Sequence, residues 1–459
     1  MTDTAAPPPP VPPEPPAPHY PREPGFLLTV HRYLLAGSLP ARAAILAALT
    51  MLLTIPLGLI GGVISDRQTY QEQAKQNIVT AWGGPQTFTG PMLVLPYKTD
   101  GTTSRDGTLT LLPERLTIDG KILPEQRRRG LFAMAVYSTT LDVVAEFQTR
   151  AFQDFLSDGR RSNWQQARLE IGVTEPRSID AASIDVNGQT VEWSPGSGKL
   201  LSSLTASIGS DTLATAETIT VRFRLSLAGS TNFALTPLGR RTEATITSPW
   251  PSPSFTGRYL PITQSVGADG FSAKWTTSHL GRPYSQLWDS RSVNNDPSSQ
   301  TVIDSSFGVT LLTPIDAYRE TDRAIKYGIL FIGLTLAAGL LVETATGTRP
   351  HAMQYVLIGL ALCIFYLLLL SLSEQIGFGG AYLVSATAVV MQATLYSWTL
   401  HRRRGPALAF GTVLAGLYAG LYSLLQLEDV ALLAGSLLLF AVLSLAMWFT
   451  RNLHRAAPV

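Results

Sequence analysis

The sequence predicts a membrane protein of mixed α and β structure, with six transmembrane helices and a large antiparallel, sandwich-like β-rich domain inserted between the first and second helices. Long apolar runs without charge lie near residue 50 and after residue 324. The region between them alternates apolar and polar residues, as half-buried strands do. The basic residues of the short loops lie on one side of the predicted spans, which is the usual charge bias of membrane proteins.

Residues 1–40 are a proline-rich segment that precedes the first apolar run. Prolines recur from Pro7 to Pro24 with few apolar residues between them. Such a composition cannot bury a core, so we expect a disordered cytoplasmic tail of polyproline character. A tail of this type can alternatively dock in an aromatic-lined groove of a partner. No signal peptide is predicted, because the first apolar stretch begins only near Ala43.

The first transmembrane helix is predicted at residues 41–65. The stretch from Ala43 to Ser65 contains no charge, and at 1.5 Å per residue it can cross the roughly 30 Å hydrocarbon layer of a bilayer. Arg32 and Arg42 precede it, which favours a cytoplasmic N-terminus. Within the span, Pro56 predicts a kink.

Residues 66–323 are predicted to form the β-rich domain. Threonine and valine are frequent there, and NG, DG and GS pairs separate the apolar runs, as turns separate short strands. Residues 151–166 are the one segment that favours a short helix. Strands are predicted at 107–121, 134–147, 167–173, 217–227 and 242–248. Many short strands with turns between them are typical of an antiparallel sandwich.

Residues 324–450 are predicted to form a bundle of five further transmembrane helices, followed by a short cytoplasmic tail at 451–459. The apolar runs of this bundle lie at about 324–342, 353–372, 379–400, 407–426 and 430–449. Together with the first helix they make six spans. An even number of spans places both termini on the same side of the membrane.

The charges of the connecting loops predict the orientation. One pair of loops carries Arg349 with His351, and the basic run 401–404, whereas the other pair carries acids at Glu374 and at 428–429. Basic loops face the cytoplasm. We therefore expect the N- and C-termini in the cytoplasm and residues 66–323 in the periplasm, with the protein in the inner membrane of a bacterium.

Five stretches of the sequence carry a resemblance to a known family. They are AWGGPQTFTGPMLVLPY (81–97), TITSPWPSPSFTGRYLP (245–261), TPIDAYRETDRAIKYGILFIGLT (313–335), MQYVLIGLALCIFYLLLLSLSEQIGF (353–378) and TRNLHR (450–455). On these stretches the sequence resembles the CreD family of bacterial inner-membrane proteins. One departure is RPHAMQY at 349–355, where family members place His and Pro directly before Met, so no special role is carried over to His351.

The resemblance implies a cellular context and leaves the mechanism open. CreD proteins belong to the regulon of a two-component system, and their expression is linked to cell-envelope integrity, the β-lactam response and colicin tolerance. The family has no established catalytic activity or substrate. A resemblance to it therefore implies a membrane protein of the envelope stress response.

The sequence of the β-rich domain contains no recognised catalytic pattern. A serine acyl enzyme needs Ser-x-x-Lys, but Ser197 and Ser272 have lysine two positions on. His279 is the one histidine of this domain, which is too few for a zinc site. GSGK at 196–199 lacks the first glycine of a phosphate-binding loop. We therefore expect no catalytic residues, no metal and no cofactor.

The net charge and the cysteine content lead to two further expectations. The net charge of +2 gives no indication of nucleic-acid binding. The lone cysteine, Cys363, lies in an apolar run, so no disulfide is expected in the β-rich domain.

One segment of the β-rich domain, SPWPSPSFTGRYLP at 248–261, is a candidate interface. Its prolines exclude a central strand. Trp250, Phe255 and Tyr259 offer rigid aromatic surface of the kind that interfaces favour, with Arg258 available for a cation–aromatic contact. The alternative is a crossover whose aromatic side chains pack on the core.

In the membrane, three residues have predicted roles. Glu374 follows the third apolar run, and the charges of the loops place it at the periplasmic surface, where it caps a helix or docks against the β-rich domain. Gly416 and Gly420 form a G-x-x-x-G pattern in the fifth span, which favours close helix packing. The span centres carry almost no charge, which gives no indication of an ion pathway.

The favoured interpretation is a protein that binds a periplasmic protein, a lipid or a cell-wall component without catalysis, besides the lipid bilayer itself. A transporter or flippase of lipid-like solutes is the alternative, because the fourth span carries several polar side chains. A membrane-anchored hydrolase is the weakest alternative. The oligomeric state does not follow from the sequence.

Overall fold

The computed structural model describes residues 39–99, 106–156, 160–176, 179–209, 216–292, 295–312, 317–346, 351–401 and 404–427, with scattered positions between 433 and 447. Residues 1–38 of the predicted tail at 1–40, most of the predicted sixth span at 430–449 and the predicted tail at 451–459 lie outside the described residues. Residues 39 and 40 of the first tail are helical. The chain divides into two compact units. The β unit is Val63–Tyr318, and the helical unit combines Met1–Gly62 with Arg319–Val459. The sequence predicts these divisions at 66 and 323.

The β unit contains eighteen strands in the part of the chain that the structure describes. Their bounds are β1 Gln86–Thr99, β2 Asp106–Leu111, β3 Arg115–Arg129, β4 Phe132–Gln148, β5 Arg160–Ser162, β6 Arg168–Val173, β7 Ile179–Val186, β8 Gln189–Val191, β9 Ser194–Ser197, β10 Ser202–Ser207, β11 Thr218–Ser230, β12 Asn232–Leu235, β13 Arg241–Ser248, β14 Pro253–Gly257, β15 Thr263–Gly267, β16 Gly270–Ser278, β17 Leu287–Asp289 and β18 Phe307–Leu311. Four of the five strands predicted from the sequence are present, and the fifth, at 107–121, is divided between β2 and the first part of β3.

The helices account for the remaining elements. They are α1 Leu39–Leu52, α2 Thr54–Trp82, α3 Arg150–Leu156, α4 Ser299–Ile303, α5 Ala317–Lys326, α6 Gly328–Thr346, α7 Ala352–His401 and α8 Arg404–Gln426, with single 3₁₀ turns at Trp164–Gln166 and His279–Gly281. The predicted short helix at 151–166 is thus a helix, a short strand and a 3₁₀ turn.

The strands form two sheets. The ten-stranded sheet has the order β14-β18-β12-β1-β6-β10-β9, with β2 and β5 also paired to β1 and β17 paired to β2. The eight-stranded sheet has the order β15-β16-β13-β3-β4-β11-β7-β8. The chain passes from the second sheet to the first between β11 and β12 at Thr231, which takes a positive φ of 57° at this bend.

The two sheets face each other across one core, as predicted for a sandwich. Aromatic rings of opposite sheets meet there, with centroids 6.4 Å apart for Phe88 and Phe223 and 5.4 Å apart for Trp275 and Phe307. The strand directions are a correction, because the domain is not wholly antiparallel: β1 pairs with β12, and β3 with β13, in parallel. Parallel pairing arises from long crossovers between distant strands, and local period-two patterns carry no information on such connections.

The first helix of the helical unit is interrupted near its proline. Pro56 has no N–H to donate to the carbonyl of Leu52, and the helix breaks at Leu53, between α1 and α2. The helix continues on both sides of this break, because Leu53 and Leu57 both donate their N–H to the carbonyl four residues earlier.

Helix α7 folds back on itself. It has 50 residues and a non-helical residue, Gly377, with φ 75° and ψ 165°. The rings of Phe365 and Tyr382 lie 5.4 Å apart, whereas seventeen residues of straight helix extend about 25 Å. The predicted spans at 353–372 and 379–400 are therefore two arms of α7, residues 352–376 and 378–401, with the reversal at Gly377.

In the part of the chain that the structure describes, three helices are long and apolar enough to cross a membrane: Ala41–Trp82, Ala352–Leu400 and Arg404–Gln426. A fourth span results if Tyr318–Lys326 and Gly328–Thr344, which meet at 50°, count as one. The prediction of six spans exceeds this count, because the count takes both arms of α7 together as one helix and the sixth predicted span falls mostly outside the described residues.

Candidate functional site

The helices of the helical unit alternate in direction. Gly328, at the start of α6, lies against Leu57 of α2, and Glu343 near the end of α6 forms an ion pair with Arg42 of α1. The first helix and α6 are therefore antiparallel. At the other end of the unit from Arg42 lies the reversal of α7 at Gly377.

An aromatic cluster joins the two arms of α7 to α8 near this reversal. The Phe365 ring lies 5.4 Å from Tyr382 and 4.6 Å from Tyr418. The Tyr382 hydroxyl donates a 2.7 Å hydrogen bond to the Tyr418 carbonyl, and the Tyr382 ring lies 5.1 Å from Tyr422. These contacts hold the second arm of α7 against α8. The tyrosines of both helices lie at the end near the reversal of α7.

An apolar groove runs along the same two helices. Its volume is about 610 Å³, which is within the range of pockets that hold small ligands. Most of its wall is hydrocarbon, with the Thr387 side chain and tyrosine hydroxyls as the polar groups. The groove is lined by Gly379, Tyr382, Leu383, Ala386, Thr387, Val390, Met391, Ala415, Tyr418, Ala419 and Tyr422.

Small residues create the space for this groove. Ala386 of α7 and Ala415 and Ala419 of α8 all line it, where longer side chains would take up part of the space. At its outer rim Leu383 is 68% exposed and Met391 58% exposed. Apolar side chains as exposed as these are expected on a helix that faces lipid rather than water.

A second cavity, of about 290 Å³, lies further along the same two helices. It is lined by Thr394, Leu395, Trp398, Arg404, Ala407 and Leu408. The Arg404 guanidinium lies 5.3 Å from the centroid of the Trp398 ring. A cation beside a tryptophan at the end of an apolar helix is typical of the membrane interface.

A buried polar cluster joins α1, α6 and α7 at the end of the unit opposite Gly377. The Glu343 side chain is 4% exposed and pairs with Arg42. The Tyr355 hydroxyl donates a 2.7 Å hydrogen bond to the same carboxylate. The sequence identified Arg42 before the first apolar run but did not connect it to Glu343, because 300 residues lie between the two in the chain.

The aromatic residues of the candidate interface at 248–261 are partly buried against the core of the β unit. The Phe255 ring lies 5.8 Å from Trp275, and the Tyr259 hydroxyl donates to the Gly281 carbonyl at 2.7 Å. Trp250 donates its indole N–H to the Leu312 carbonyl at 3.0 Å, whereas Arg258 is exposed. This geometry accords with the packing alternative, and an interface role for this set stays a prediction.

The predicted membrane residues occupy different environments. Glu374 is half-buried, three residues before the reversal of α7. Gly416 is exposed, and a Cβ placed there would meet no atom within 4 Å. The close contact between α7 and α8 occurs instead at Gly411, which lies against Thr394. A packing role for Gly416 and Gly420 stays a prediction.

The GSGK segment of the β unit packs on a buried carboxyl group. The Lys199 N–H donates to Glu170 Oε1 at 3.2 Å, and Arg168 Nε lies 3.7 Å from Glu170 Oε2. Burial raises the pKa of Glu170 above its ordinary value, while the Lys199 hydrogen bond and the Arg168 charge oppose that rise. Among the described residues, no group of three or more His, Cys, Asp or Glu side chains is placed to hold a metal ion.

The chain combines apolar helices that can cross a membrane with a large two-sheet β domain. These features define its class, a polytopic membrane protein with an inserted sandwich domain. A sequence profile described as inner membrane protein CreD matches residues 38–455. The inner membrane protein CreD of Escherichia coli (strain K12) is 32% identical over 420 residues, which cover 88% of this chain and 90% of that protein. The chain belongs to the CreD family.

Two solved structures show weak likeness to the chain. One is native yeast LTA4 hydrolase, with a TM-score of 0.21 and 7% identity over 50% of this chain and 35% of that chain. The other is a putative protease from Parabacteroides distasonis, with a TM-score of 0.23 and 8% identity over 67% of this chain and 58% of that chain. Neither likeness carries an argument about fold or function.

Proposed function

We propose that this CreD-family protein acts in the cell-envelope stress response by binding a membrane lipid, without catalysis, in the groove between α8 and the second arm of α7. The observation that carries the proposal is the apolar groove of about 610 Å³ with Leu383 and Met391 exposed at its rim. A phospholipid acyl chain matches the hydrocarbon wall. Arg404 at the end of the second cavity supplies a cation for the phosphate of the same lipid.

The proposal includes the membrane topology. We propose six spans, with both termini in the cytoplasm and residues 66–323 in the periplasm, because the loop charges divide by sign between the two sides. The antiparallel contact of the first helix with α6 supports alternate directions for these two spans. In this topology Arg404 faces the cytoplasmic leaflet and Tyr422 the periplasmic one.

Photo-crosslinking tests the groove directly. The full-length protein is reconstituted with a phospholipid that carries a diazirine in its acyl chain, and crosslinked peptides are mapped by mass spectrometry. We expect crosslinks at the residues that line the groove. Ala419→Trp fills the groove and is expected to remove most of them, whereas Val413→Trp, a matched control two residues from Ala415 and outside the groove lining, is expected to leave them.

Two outcomes would contradict lipid binding in the groove. Crosslinks spread evenly over the exposed apolar residues, with Leu360 and Leu367 labelled as strongly as Met391, would indicate ordinary bilayer contact. A disulfide formed between Ala419→Cys and a cysteine introduced at 430–449 would assign the groove to the predicted sixth span.

Lipid movement across the membrane is the second candidate. It is favoured by the two cavities, which follow one another along the same pair of helices from Tyr422 to Arg404. A scramblase or flippase assay in liposomes with a fluorescent phospholipid tests it. Reconstituted protein that binds lipid in the groove but does not speed its transfer would leave binding as the function.

A further inference from the structure

A long hairpin of the β unit ends in a basic, fully exposed tip. Strands β3 and β4 pair along their whole length up to Arg129 opposite Phe132. The two residues between them, Gly130 and Leu131, make the turn, and Gly130 takes a φ of 63° that favours glycine. Residues 125–131 are all exposed, and Leu131 is 55% exposed at the end. The tip, defined here as residues 125–131, therefore projects from the packed part of the sheet.

Positive charge dominates the tip. Arg127, Arg128 and Arg129 follow one another, and Glu125 pairs with Arg127 at 3.4 Å. The ion pairs of the described residues include neither Arg128 nor Arg129. Two guanidinium groups thus remain available to anions beside an exposed leucine.

The base of the tip is held by aromatic residues. The Arg127 guanidinium lies 3.9 Å from the centroid of the Trp82 ring, and the Trp82 N–H donates to the Tyr137 carbonyl at 3.3 Å. On the other strand, the Phe132 ring lies 6.1 Å from Tyr318. Trp82 is the last residue of α2, and Tyr318 is the last residue of the β unit. The hairpin therefore packs on both chain segments that connect this unit to apolar helices.

The length of the chain limits how far Tyr318 can lie from a membrane. Helix α6 begins at Gly328, ten residues after Tyr318. These ten residues extend about 15 Å as helix and at most about 35 Å when fully extended. Since Phe132 contacts Tyr318, the base of the hairpin packs on the chain segment that leads, ten residues later, to an apolar helix.

We propose that the tip binds the anionic headgroups of phospholipids at the membrane surface, with Arg128 and Arg129 on lipid phosphates and Leu131 among the upper acyl chains. A planar guanidinium matches the geometry of a phosphate, and a basic cluster next to a membrane is attracted by anionic lipid. The site is separate from the groove between α7 and α8, and it does not depend on the function proposed for that groove.

An environment-sensitive fluorophore at the tip tests this proposal in the full-length protein. The label is placed on Leu131→Cys in a Cys363→Ala background and the protein is reconstituted in nanodiscs. We expect a blue shift of emission with phosphatidylglycerol in the nanodisc, a smaller shift with phosphatidylcholine alone, and loss of the difference at high salt.

A charge-matched pair of variants separates tip binding from net charge. Arg128→Gln/Arg129→Gln is expected to lower the ratio of bound to free tip by about fivefold per arginine, or roughly 25-fold together. Arg150→Gln/Arg222→Gln removes the same charge elsewhere on the β unit and is expected to leave the shift unchanged. Arg222 lies opposite Val144 of β4, about 40 Å along the strand from Phe132.

Three results would overturn the proposal. Emission that does not change between the two lipid compositions would show that the tip does not meet anionic headgroups. An equal loss in both double variants would show that only the net charge of the protein matters. A shift that survives high salt and the loss of Arg128 and Arg129 would assign contact at the tip to Leu131 alone.

Discussion

The β unit and the helical unit differ in which side chains they bury and which they expose. In the β unit Trp275, Trp288 and Phe307 are almost completely buried, and the aromatic residues suspected at its surface lie partly in the same core. In the helical unit Leu383 is 68% exposed, whereas the carboxylate Glu343 is buried. This inversion is expected where lipid replaces water as the solvent. In lipid an exposed leucine side chain costs little free energy, whereas an exposed charge costs much and is therefore buried in the protein.

The comparison teaches where a binding site should be sought in each unit. In the β unit single exposed apolar side chains, such as Leu260 and Leu280, carry no information by themselves. Leu131 is informative only because it lies at a hairpin tip beside Arg128 and Arg129. In the helical unit apolar exposure carries no such information. There, missing volume between helices is informative, and the groove beside Ala415 and Ala419 is the larger of the two cavities along α7 and α8.

The largest expected effect comes from opening the β core. Trp275→Ala removes a ring packed against Phe255 and Phe307 and an indole N–H that donates to the Tyr259 carbonyl at 3.1 Å. We expect the free energy of unfolding of the β unit to fall by about 4 kcal/mol, as for other large-to-small substitutions of buried aromatic residues. Chemical denaturation followed by tryptophan fluorescence measures this change.

Trp275→Phe is the matched control, since it keeps most of the volume and should cost clearly less. If Trp275→Ala destabilised the protein no more than Trp275→Phe, the aromatic core would be less important than its burial indicates. The groove should be unaffected in either variant, which lipid crosslinking can verify.

The next effect comes from the buried charge of the helical unit. Arg42→Met leaves the Glu343 carboxylate without its cation, with only Tyr355 donating to it. Breaking a buried ion pair at one partner costs about 3 kcal/mol. We expect a corresponding loss of thermal stability of the reconstituted protein.

The double variant Arg42→Met/Glu343→Gln completes the cycle. It removes both charges, and we expect it to recover much of the stability that Arg42→Met loses. A double variant as unstable as the sum of the two single variants would show that Arg42 and Glu343 do not interact in the membrane.

A smaller effect is expected at the aromatic cluster of the groove. Tyr382→Phe removes one hydroxyl and its hydrogen bond to the Tyr418 carbonyl, at a cost of about 1 kcal/mol. Tyr422→Phe keeps this bond and serves as the control in the same thermal-stability assay. If both variants behaved alike, the bond between Tyr382 and Tyr418 would not hold the second arm of α7 against α8.

Local patterns predicted the elements of the fold, and contacts between distant residues are what they missed. Period two identified the strands, Pro56 predicted the interruption of the first helix, and the division between the apolar runs 353–372 and 379–400 predicted the reversal of α7. The parallel pairing of β3 with β13 depends on a crossover of more than a hundred residues, which no local period records. Parallel pairing depends on which distant strands become adjacent in the sheet, and the preference of a single residue does not determine that.

The candidate site was predicted less well than the fold. Glu374 attracted notice as a carboxylate after an apolar run, but the buried carboxylate is Glu343, whose environment depends on Arg42 from another helix. The sequence pattern for close packing was Gly416 with Gly420, whereas the small residues of α8 at the helix contact and the groove are Gly411, Ala415 and Ala419. Of these, Gly411 packs against Thr394, whereas the two alanines border the groove, and a sequence pattern cannot distinguish a filled gap from an empty one.

The smallest effect is a pH dependence in the β unit, where a buried carboxyl group resembles the buried charge of the helical unit. Because burial raises the pKa of Glu170, the native state keeps a proton that the unfolded state, with a carboxyl pKa of about 4.3, releases. The contribution of Glu170 to stability therefore decreases as the pH rises through this window, and the full cost is present above the native pKa. Glu170→Gln has no such cost, so its stability relative to the unsubstituted protein should increase from acid to neutral pH.

Glu243 provides a control of opposite sign for the same denaturation series. A hydrogen bond from Arg241, at 2.8 Å, lowers the pKa of Glu243. Its contribution to stability is present above the unfolded pKa and is lost as the pH falls through the lower native value. Glu243→Gln should therefore be less stable than the unsubstituted protein at neutral pH and should match it in acid. If the two glutamine variants changed in the same direction with pH, burial would not be the cause of the raised pKa of Glu170, and the parallel between Glu170 and the buried Glu343 would fail.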